Sequence, residues 1–240
     1  MSENKRRKTV SVEELEISTP GFANGISTQL NELIQKGEHR SLNDKEKSKI
    51  IYEASKYYGK FLTALGIDWE NDPNSAETPI RVSKAYIEKF EGRYNLLSDI
   101  SSFPSDYSGI ILERNIPSIS ICSHHHETIE SRVHVAYIPG PEGRVIGLSK
   151  INRVIEHFSR RGAIQEDLTK AIHKAINTIC EGNIGVMVIM IGSHNCVKVR
   201  GVNHKGTDMV TSEISGVFTD NTRTAKQEVM DLIKMDFKNI

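Results

Sequence analysis

The sequence predicts an α+β protein, because two pairs of strand candidates flank a pair of helix candidates in the order ββααββ. Residues 118–122 and 132–138 form the first pair of strand candidates, and 184–192 and 209–218 form the second. Between the pairs, two segments carry apolar residues at three- and four-residue steps, as the buried face of a helix does. Further helix candidates precede and follow this pattern.

The chain before this pattern divides into an arm and a helical region. Residues 1–42 are polar and turn-rich without a sustained apolar period, which predicts a flexible N-terminal arm. Its run "KRRK" at 5–8 could contact nucleic acid or direct targeting, but a short basic run near a terminus is usually only solvated. One domain is expected over 43–240, with a helical part over 43–100 and a core over about 110–240.

Two helices are expected in the helical part. The first begins near Asn43 and ends at Gly66, and the second opens with Thr78 as N-cap and Pro79 in the first helical position. The apolar stripe of the first helix consists of Ile50, Ile51, Ala54, Tyr57, Tyr58, Phe61, Leu62 and Leu65.

The core is expected to begin with a hairpin and to continue through two helices. The strand at 118–122 runs into "SHHHE", and the strand at 132–138 is followed by the turn "PGPEG". Ser149 is placed to cap the next helix and Gly162 to end it, and the second helix runs over 165–180. A last strand and a C-terminal helix from about residue 222 complete the order.

The segment "HNCVKVRG" at 194–201 is expected to continue extended after a turn at Gly192 and Ser193. Side chains two residues apart on a strand project to the same face, so one face would carry an imidazole, a thiol and two cations. Alternatively, the cysteine is a small core residue and the cations are a solvated face. The residues of this predicted face are His194, Cys196, Lys198 and Arg200.

Composition limits the classes of function. The formal net charge of the 240 residues is zero, with 31 basic and 31 acidic side chains, so no nucleic-acid partner is expected. The longest apolar run, 184–191, is far shorter than the roughly 20 residues of a membrane-spanning helix. Three cysteines at irregular spacing argue against a disulfide framework. We therefore expect a cytoplasmic protein without a membrane partner.

The sulfur and imidazole side chains suggest a metal site. Cys122 and His125 lie three residues apart in a tight segment, and Cys196 offers a third soft ligand if its strand is adjacent. Three such ligands with a vacant fourth position are typical of catalytic zinc. A bound zinc ion would lower the pKa of its water towards about 7 and supply hydroxide near neutral pH.

A separate anion site is suggested by "LSKINR" at 148–153. Free backbone amides at a helix N-terminus favour anions, and Lys150 and Arg153 strengthen that preference. The alternative is that both cations simply extend into solvent. Glu166, near the start of the following helix, could complement the helix dipole or accept two N–H bonds from a guanine-like ring. The spacing leaves both alternatives open.

At this point the sequence resembles the GTP cyclohydrolase I family over roughly residues 45–235, with the family's motifs in the same order and near their usual spacing. The matching strings are "CSHH" at 122–125, "VAYIP" at 135–139, "VIGLSKINR" at 145–153, "IQEDLT" at 164–169, "HNCVKVRG" at 194–201 and "ETPIRVSKAY" at 77–86.

The resemblance implies a T-fold, in which an antiparallel ββααββ sheet carries two helices on one face, preceded by an N-terminal helical region. It further implies a toroidal homodecamer with active sites at subunit interfaces. The implied reaction opens the imidazole ring of GTP, releases C8 as formate and gives 7,8-dihydroneopterin triphosphate, a precursor in folate, tetrahydrobiopterin or deazapurine biosynthesis.

The resemblance also implies roles for individual residues. Cys122, His125 and Cys196 match the zinc ligands, and the zinc-bound water would attack C8. His124 and His194 match the proton-transfer histidines. The residues that match substrate contacts are Glu166 and Gln165 at the guanine edge, and Ser149, Lys150, Arg153, Arg200, Arg81 and Lys84 around the triphosphate.

The sequence departs from the family pattern in two places. Ser123 replaces the acidic residue that usually follows the first zinc cysteine, and "TDMVTS" at 207–212 replaces a run of threonines near the ligand. The second departure leaves open a preference between GTP and a related nucleotide such as dGTP. There are two alternative functions. One is a deazaguanine nitrile reductase, but no motif of that enzyme is present. The other is a non-catalytic zinc-stabilised module, in which His124 or His126 would fill the fourth coordination position of the zinc ion.

Overall fold

The computed structural model describes residues 8–9, 41–97, 100–220 and 224–235, so most of the predicted arm at 1–42 lies outside the described residues. The chain falls into two compact units, Thr19–Leu96 and a second unit formed by Met1–Ser18 with Leu97–Ile240. The helices are α1 (Asp44–Ala64), α2 (Thr78–Lys89), α3 (Glu91–Tyr94), α4 (Leu148–Ser159), α5 (Gln165–Ile179), α6 (Asn195–Lys198) and α7 (Ala225–Lys234). The strands are β1 (Lys8–Thr9), β2 (Ser101–Pro104), β3 (Ile111–Ile121), β4 (Thr128–Pro139), β5 (Arg144–Ile146), β6 (Asn183–His194) and β7 (Met209–Ile214).

The first unit contains α1, α2 and α3. Asn43 caps α1 as predicted, because its side chain accepts the N–H of Glu46 while the Glu46 carboxylate accepts the N–H of Asn43. The N-cap of α2 is Glu77 and not Thr78. Thr78 is already the first residue of the helix, and its N–H bonds the Ser75 carbonyl, so the chain turns before it reaches the threonine.

The second unit is built on an antiparallel four-stranded sheet in the order β3-β4-β6-β7. β3 and β4 form the predicted hairpin, although both are longer than predicted, and α4 and α5 lie between β4 and β6 in the chain. The predicted α+β class and ββααββ order are therefore confirmed. A second small sheet, β1-β2-β5, was not predicted, since strands of two to four residues are too short to show a period.

The two faces of the four-stranded sheet bury different sets of side chains. One face packs against α4 and α5, where Val133, Val188 and Ile172 are each 0% exposed. The residues between them along the strands, such as Ala136 and Met187, face the opposite side and pack with Phe218 and α7. Both helices of the ββααββ unit thus lie on one face, as predicted. Full burial of an aliphatic side chain contributes about 1.5–3 kcal/mol, so this core dominates the stability of the unit.

Three local predictions in the second unit are wrong. The last strand, predicted over 209–218, ends at Ile214, and Gly216–Thr219 form a 3-10 helix instead. Ser149 does not cap α4, because the helix begins at Leu148 with Gly147 in the N-cap position, which places Ser149 inside the first turn. Residues 194–200 are not extended: β6 runs without a turn through Gly192 to His194, and α6 follows at once. The bond from Val199 N–H to Asn195 C=O closes this helical turn, so the predicted one-sided face does not form as a strand.

Candidate metal centre

The candidate centre lies where the ends of two strands flank the beginning of β4. Ile121, the last residue of β3, pairs with Thr128, while His194, the last residue of β6, pairs with Ile129 on the other side of β4. Strands in a sheet are about 4.8 Å apart, so β3 and β6 end about 10 Å from each other. Side chains from both ends can therefore meet above the first residues of β4.

A tight turn and a short helix bring the two cysteines into this space. Cys122 begins the β3–β4 turn, in which His126 N–H bonds the Cys122 carbonyl at 2.9 Å and the backbone of His126 is left-handed, with φ 54°. Helix α6 turns the chain back directly after β6 and so presents Cys196 next to His194. The ligand atoms of Cys122, His194 and Cys196 all lie within 4.8 Å of one another.

The donor set fits a thiophilic cation. Cys122 is 3% exposed, and all three cysteines of the chain are free thiols. Burial and the neighbouring Cys122 thiol raise the pKa of Cys196, although the charge of Arg200 opposes this. A bound divalent cation would instead lower the pKa of the thiol, because a coordinated thiol is deprotonated. Two sulfurs and an imidazole are ligands that zinc prefers, so the group can hold a metal ion.

His125, the predicted third ligand, lies outside this group of three. Its ring is exposed, and its Nε2 accepts a hydrogen bond from Arg200 NH1 at 2.9 Å. Since a guanidinium only donates, that nitrogen accepts the bond with its lone pair. The neighbouring His124 is also exposed, with its ring centroid 6.3 Å from that of His125.

His194 is held by a buried amide. Its Nε2 lies 2.8 Å from Oε1 of Gln165, the first residue of α5, and its Nδ1 lies 4.0 Å from Cys196 Sγ. Burial lowers the pKa of His194, while the negative charge of Glu166 acts in the opposite direction. Glu166 itself is exposed, so its carboxylate is accessible beside the imidazole.

The predicted cations lie on three elements. Arg200 follows α6, and Lys150 and Arg153 lie in the first turns of α4, where Gly147 provides no capping side chain. The last two, Arg81 and Lys84, are exposed on α2 in the other unit, where Arg81 pairs with Glu77.

The sequence did not identify the residues around Gln165 as part of the centre. Gln165 is 0% exposed, its amide lies against Thr211 and Gly192, and its backbone carbonyl accepts a bond from Thr169. Thr211 lies in "TDMVTS", the segment that departs from the family's threonine run, and no other feature of the sequence indicates that it lies near the site. Gly192, which the sequence predicts in a turn, lies within β6.

Comparison with known proteins identifies the family. A family model described as GTP cyclohydrolase I matches residues 54–234. The chain belongs to the GTP cyclohydrolase I family. A relative from Pseudomonas aeruginosa, named GTP cyclohydrolase 1 2, is 36% identical over 181 residues, which are 74% of this chain and 97% of that protein. A GTP cyclohydrolase 1 from Mycobacterium bovis is 36% identical over 176 residues, which are 72% of this chain and 86% of that protein.

Membership of the GTP cyclohydrolase I family confirms the predicted resemblance and the predicted enzyme class. GTP cyclohydrolase activity in pterin and folate biosynthesis follows from it. A solved structure of dihydroneopterin aldolase from Burkholderia thailendensis aligns at 13% identity with a TM-score of 0.29, covering 45% of this chain and 92% of that one, a likeness too weak to carry an argument. Within the described residues, helices long and apolar enough to span a bilayer are absent.

Proposed function

We propose that the chain is a zinc-dependent GTP cyclohydrolase that opens the imidazole ring of GTP, releases C8 as formate and yields 7,8-dihydroneopterin triphosphate. The observation that carries this proposal is the meeting of Cys122, Cys196 and an imidazole at one end of the sheet in a member of this family. Hydrolysis of an amidine-like ring carbon requires a strong nucleophile and proton transfer near neutral pH, and this group of residues could supply both.

The proposed zinc ligands are Cys122, Cys196 and His125, as the resemblance implies. When bound, zinc would supply a hydroxide at neutral pH by lowering the pKa of its water. The exposed ring of His125 belongs to the same turn as Cys122. Its lone pair accepts a bond from Arg200, which is itself exposed, so exchange of this contact for a metal costs little. His194 is the competing candidate for the third ligand, because its ring lies within the group of three ligand atoms.

His194 and His124 are the proposed proton-transfer residues. A neutral imidazole with one protonated and one free nitrogen can accept a proton at one atom and donate at the other, which suits a reaction that protonates a purine nitrogen and opens a ribose. The lowered pKa of His194 favours the neutral ring. Its position beside both sulfurs would place it next to any nucleophile generated there.

Substrate binding is assigned to the residues that match the family's substrate contacts. The exposed carboxylate of Glu166 is proposed to accept two N–H bonds from the guanine edge; the resemblance places Gln165 beside it, although the Gln165 side chain is buried. The triphosphate would bind at the N-terminus of α4, where the helix dipole and positive charge both favour an anion. The proposed triphosphate contacts are Ser149, Lys150, Arg153, Arg200, Arg81 and Lys84.

We further propose a toroidal homodecamer with active sites at subunit interfaces, as the resemblance implies. Free thiolate ligands persist only where disulfides do not form, which favours the reducing cytoplasm. Glu166 and Arg200 are exposed in the single chain, which is consistent with a site that a second subunit completes.

Zinc content of purified variants tests the proposed ligand set. Cys122→Ala and Cys196→Ala should each lose bound zinc and GTP turnover together. His125→Ala should also lose zinc, whereas His194→Ala should retain most of it while turnover falls. The opposite pattern, with zinc lost only in His194→Ala, would assign the third ligand to His194. Full zinc in both cysteine variants would remove the metal site from this position.

A further inference from the structure

We infer that Gln165 is a positioning residue that fixes the tautomer of His194, holding the proton on Nε2 and leaving the Nδ1 lone pair towards Cys122 and Cys196. The resemblance places Gln165 beside the substrate, but its side chain is 0% exposed and its amide contacts protein atoms at both ends. The inference rests on the proposed function only for its kinetic consequence, since the tautomer is a property of the protein alone.

The orientation of the Gln165 amide follows from its partners. One end lies 3.2 Å from the Met190 carbonyl, 3.0 Å from the Met209 carbonyl and 3.1 Å from the Thr211 hydroxyl. Carbonyl oxygens accept only, so this end must be the NH₂ group. The other end is then the carbonyl oxygen Oε1, which faces His194 and can only accept.

The hydroxyl groups of Thr169 and Thr211 can donate their hydrogen bonds in only one consistent direction. Thr169 donates to the Gln165 backbone carbonyl at 2.8 Å, so the 2.6 Å contact between Thr169 and Thr211 requires Thr211 to donate. The Thr211 oxygen is then the acceptor for the Gln165 NH₂ group. Reversing the amide would place its oxygen against two carbonyl oxygens and leave buried polar groups unpaired, which is unfavourable.

His194 has one tautomer that matches this arrangement. Because Gln165 Oε1 only accepts, the 2.8 Å contact requires His194 Nε2 to carry the hydrogen. In the neutral ring Nδ1 then carries the lone pair, and this atom lies 4.0 Å from Cys196 Sγ within the sulfur group. The arrangement suits either role of His194, because a proton acceptor and a metal ligand both need that lone pair at the centre.

Gly192 makes room for this contact. A Cβ atom built at Gly192 on β6 would collide with Gln165 Oε1, whereas the backbone of Gly192 is not in the left-handed region. Alanine at this position is therefore compatible with the strand but not with the amide in its present place. Gly206 provides a matched control, since none of the described residues lies within 4 Å of a Cβ built there and its backbone is also unstrained.

The tautomer can be measured directly in zinc-free protein. Solid-state ¹⁵N NMR of histidine-labelled protein, at one pH where the ring is neutral, distinguishes protonated from bare Nδ1 and Nε2, and His194→Gln assigns the signal. The wild type and Gly206→Ala should show His194 protonated on Nε2. Gly192→Ala and Gln165→Met should show a mixture or the other tautomer. An Nδ1–H tautomer in the wild type, or an unchanged signal in both variants, would overturn the inference.

Kinetics separates positioning from substrate contact. If Gln165 acts through His194, Gly192→Ala and Gln165→Met should lower kcat for GTP about 10- to 100-fold while KM stays near that of the wild type. If Gln165 instead binds guanine, KM should rise, and that result would contradict the positioning role. Absence of GTP turnover in the wild type would contradict the proposed function but would leave the tautomer measurement intact.

Discussion

Acid is expected to destabilise the protein through His157, which lies in the last turn of α4. Burial, reinforced by the charge of Arg161, lowers the pKa of His157 from 6.5 to about 4. The geometry agrees with this direction, because Arg161 NH1 lies 3.4 Å from His157 Nε2 and can only donate to it. The ring also packs edge-on against Phe158, with centroids 5.2 Å apart. The folded chain therefore holds His157 neutral.

The sign and size of the effect follow from linkage. Between pH 6.5 and about 4, His157 is protonated in the unfolded chain but not in the folded one, so the unfolded state binds more protons. The contribution is complete above about pH 6.5 and is lost as the pH falls towards 4. The gap between the two pKa values corresponds to about 3 kcal/mol, an upper value because the ring is partly exposed.

Urea unfolding at pH 7 and pH 4.5 measures this contribution. The wild type should lose about 2–3 kcal/mol more unfolding free energy across this interval than His157→Gln does. Other buried histidines titrate in both proteins, so the comparison isolates His157. The exposed His204 provides the control, and His204→Gln should behave as the wild type. Equal pH dependence in wild type and His157→Gln would refute the assigned cause.

Three further predictions concern the site and one strained turn. His124→Ala should keep its zinc while turnover falls about 10²- to 10⁴-fold, as metal analysis beside an activity assay would show; loss of zinc would mean that His124 is a ligand. Arg153→Ala should weaken GTP binding about 10- to 100-fold by calorimetry but leave guanosine binding unchanged, and equal losses would remove the triphosphate assignment. Gly216→Ala should lower the unfolding free energy by at least about 1–2 kcal/mol, because Gly216 has φ 59° and its new Cβ would collide with the Ile184 carbonyl; stability equal to that of Gly206→Ala would contradict this.

The sequence is sufficient to predict the helices and strands that are long enough to show a hydrophobic period. Helix α5 carries a periodic apolar stripe through its 15 residues, and the apolar run at 184–191 lies within the strand β6. The "HNCVKVRG" segment shows the limit. Its alternating pattern is compatible with a strand, but α6 has only four residues and is closed by a local backbone bond, which no period can reveal.

The sequence predicts the types of residue that form the centre better than it predicts the contacts between them. Cys122 and Cys196 meet as expected from their chemistry, although 74 positions separate them in the numbering. The pairing of Gln165 with His194 depends on the register of α5 against β6 and on the missing side chain of Gly192. Such a contact arises from tertiary packing, and a single sequence carries no local signal for it.

The most direct test of the proposed function is incubation of zinc-quantified protein with GTP, following formate release together with the growth of pterin absorbance and, after oxidation, fluorescence. We expect both signals to appear together and to disappear on chelation and in Cys196→Ala. Bound zinc with neither formate nor pterin from GTP or dGTP would contradict the cyclohydrolase function and favour a zinc-stabilised nucleotide-binding module.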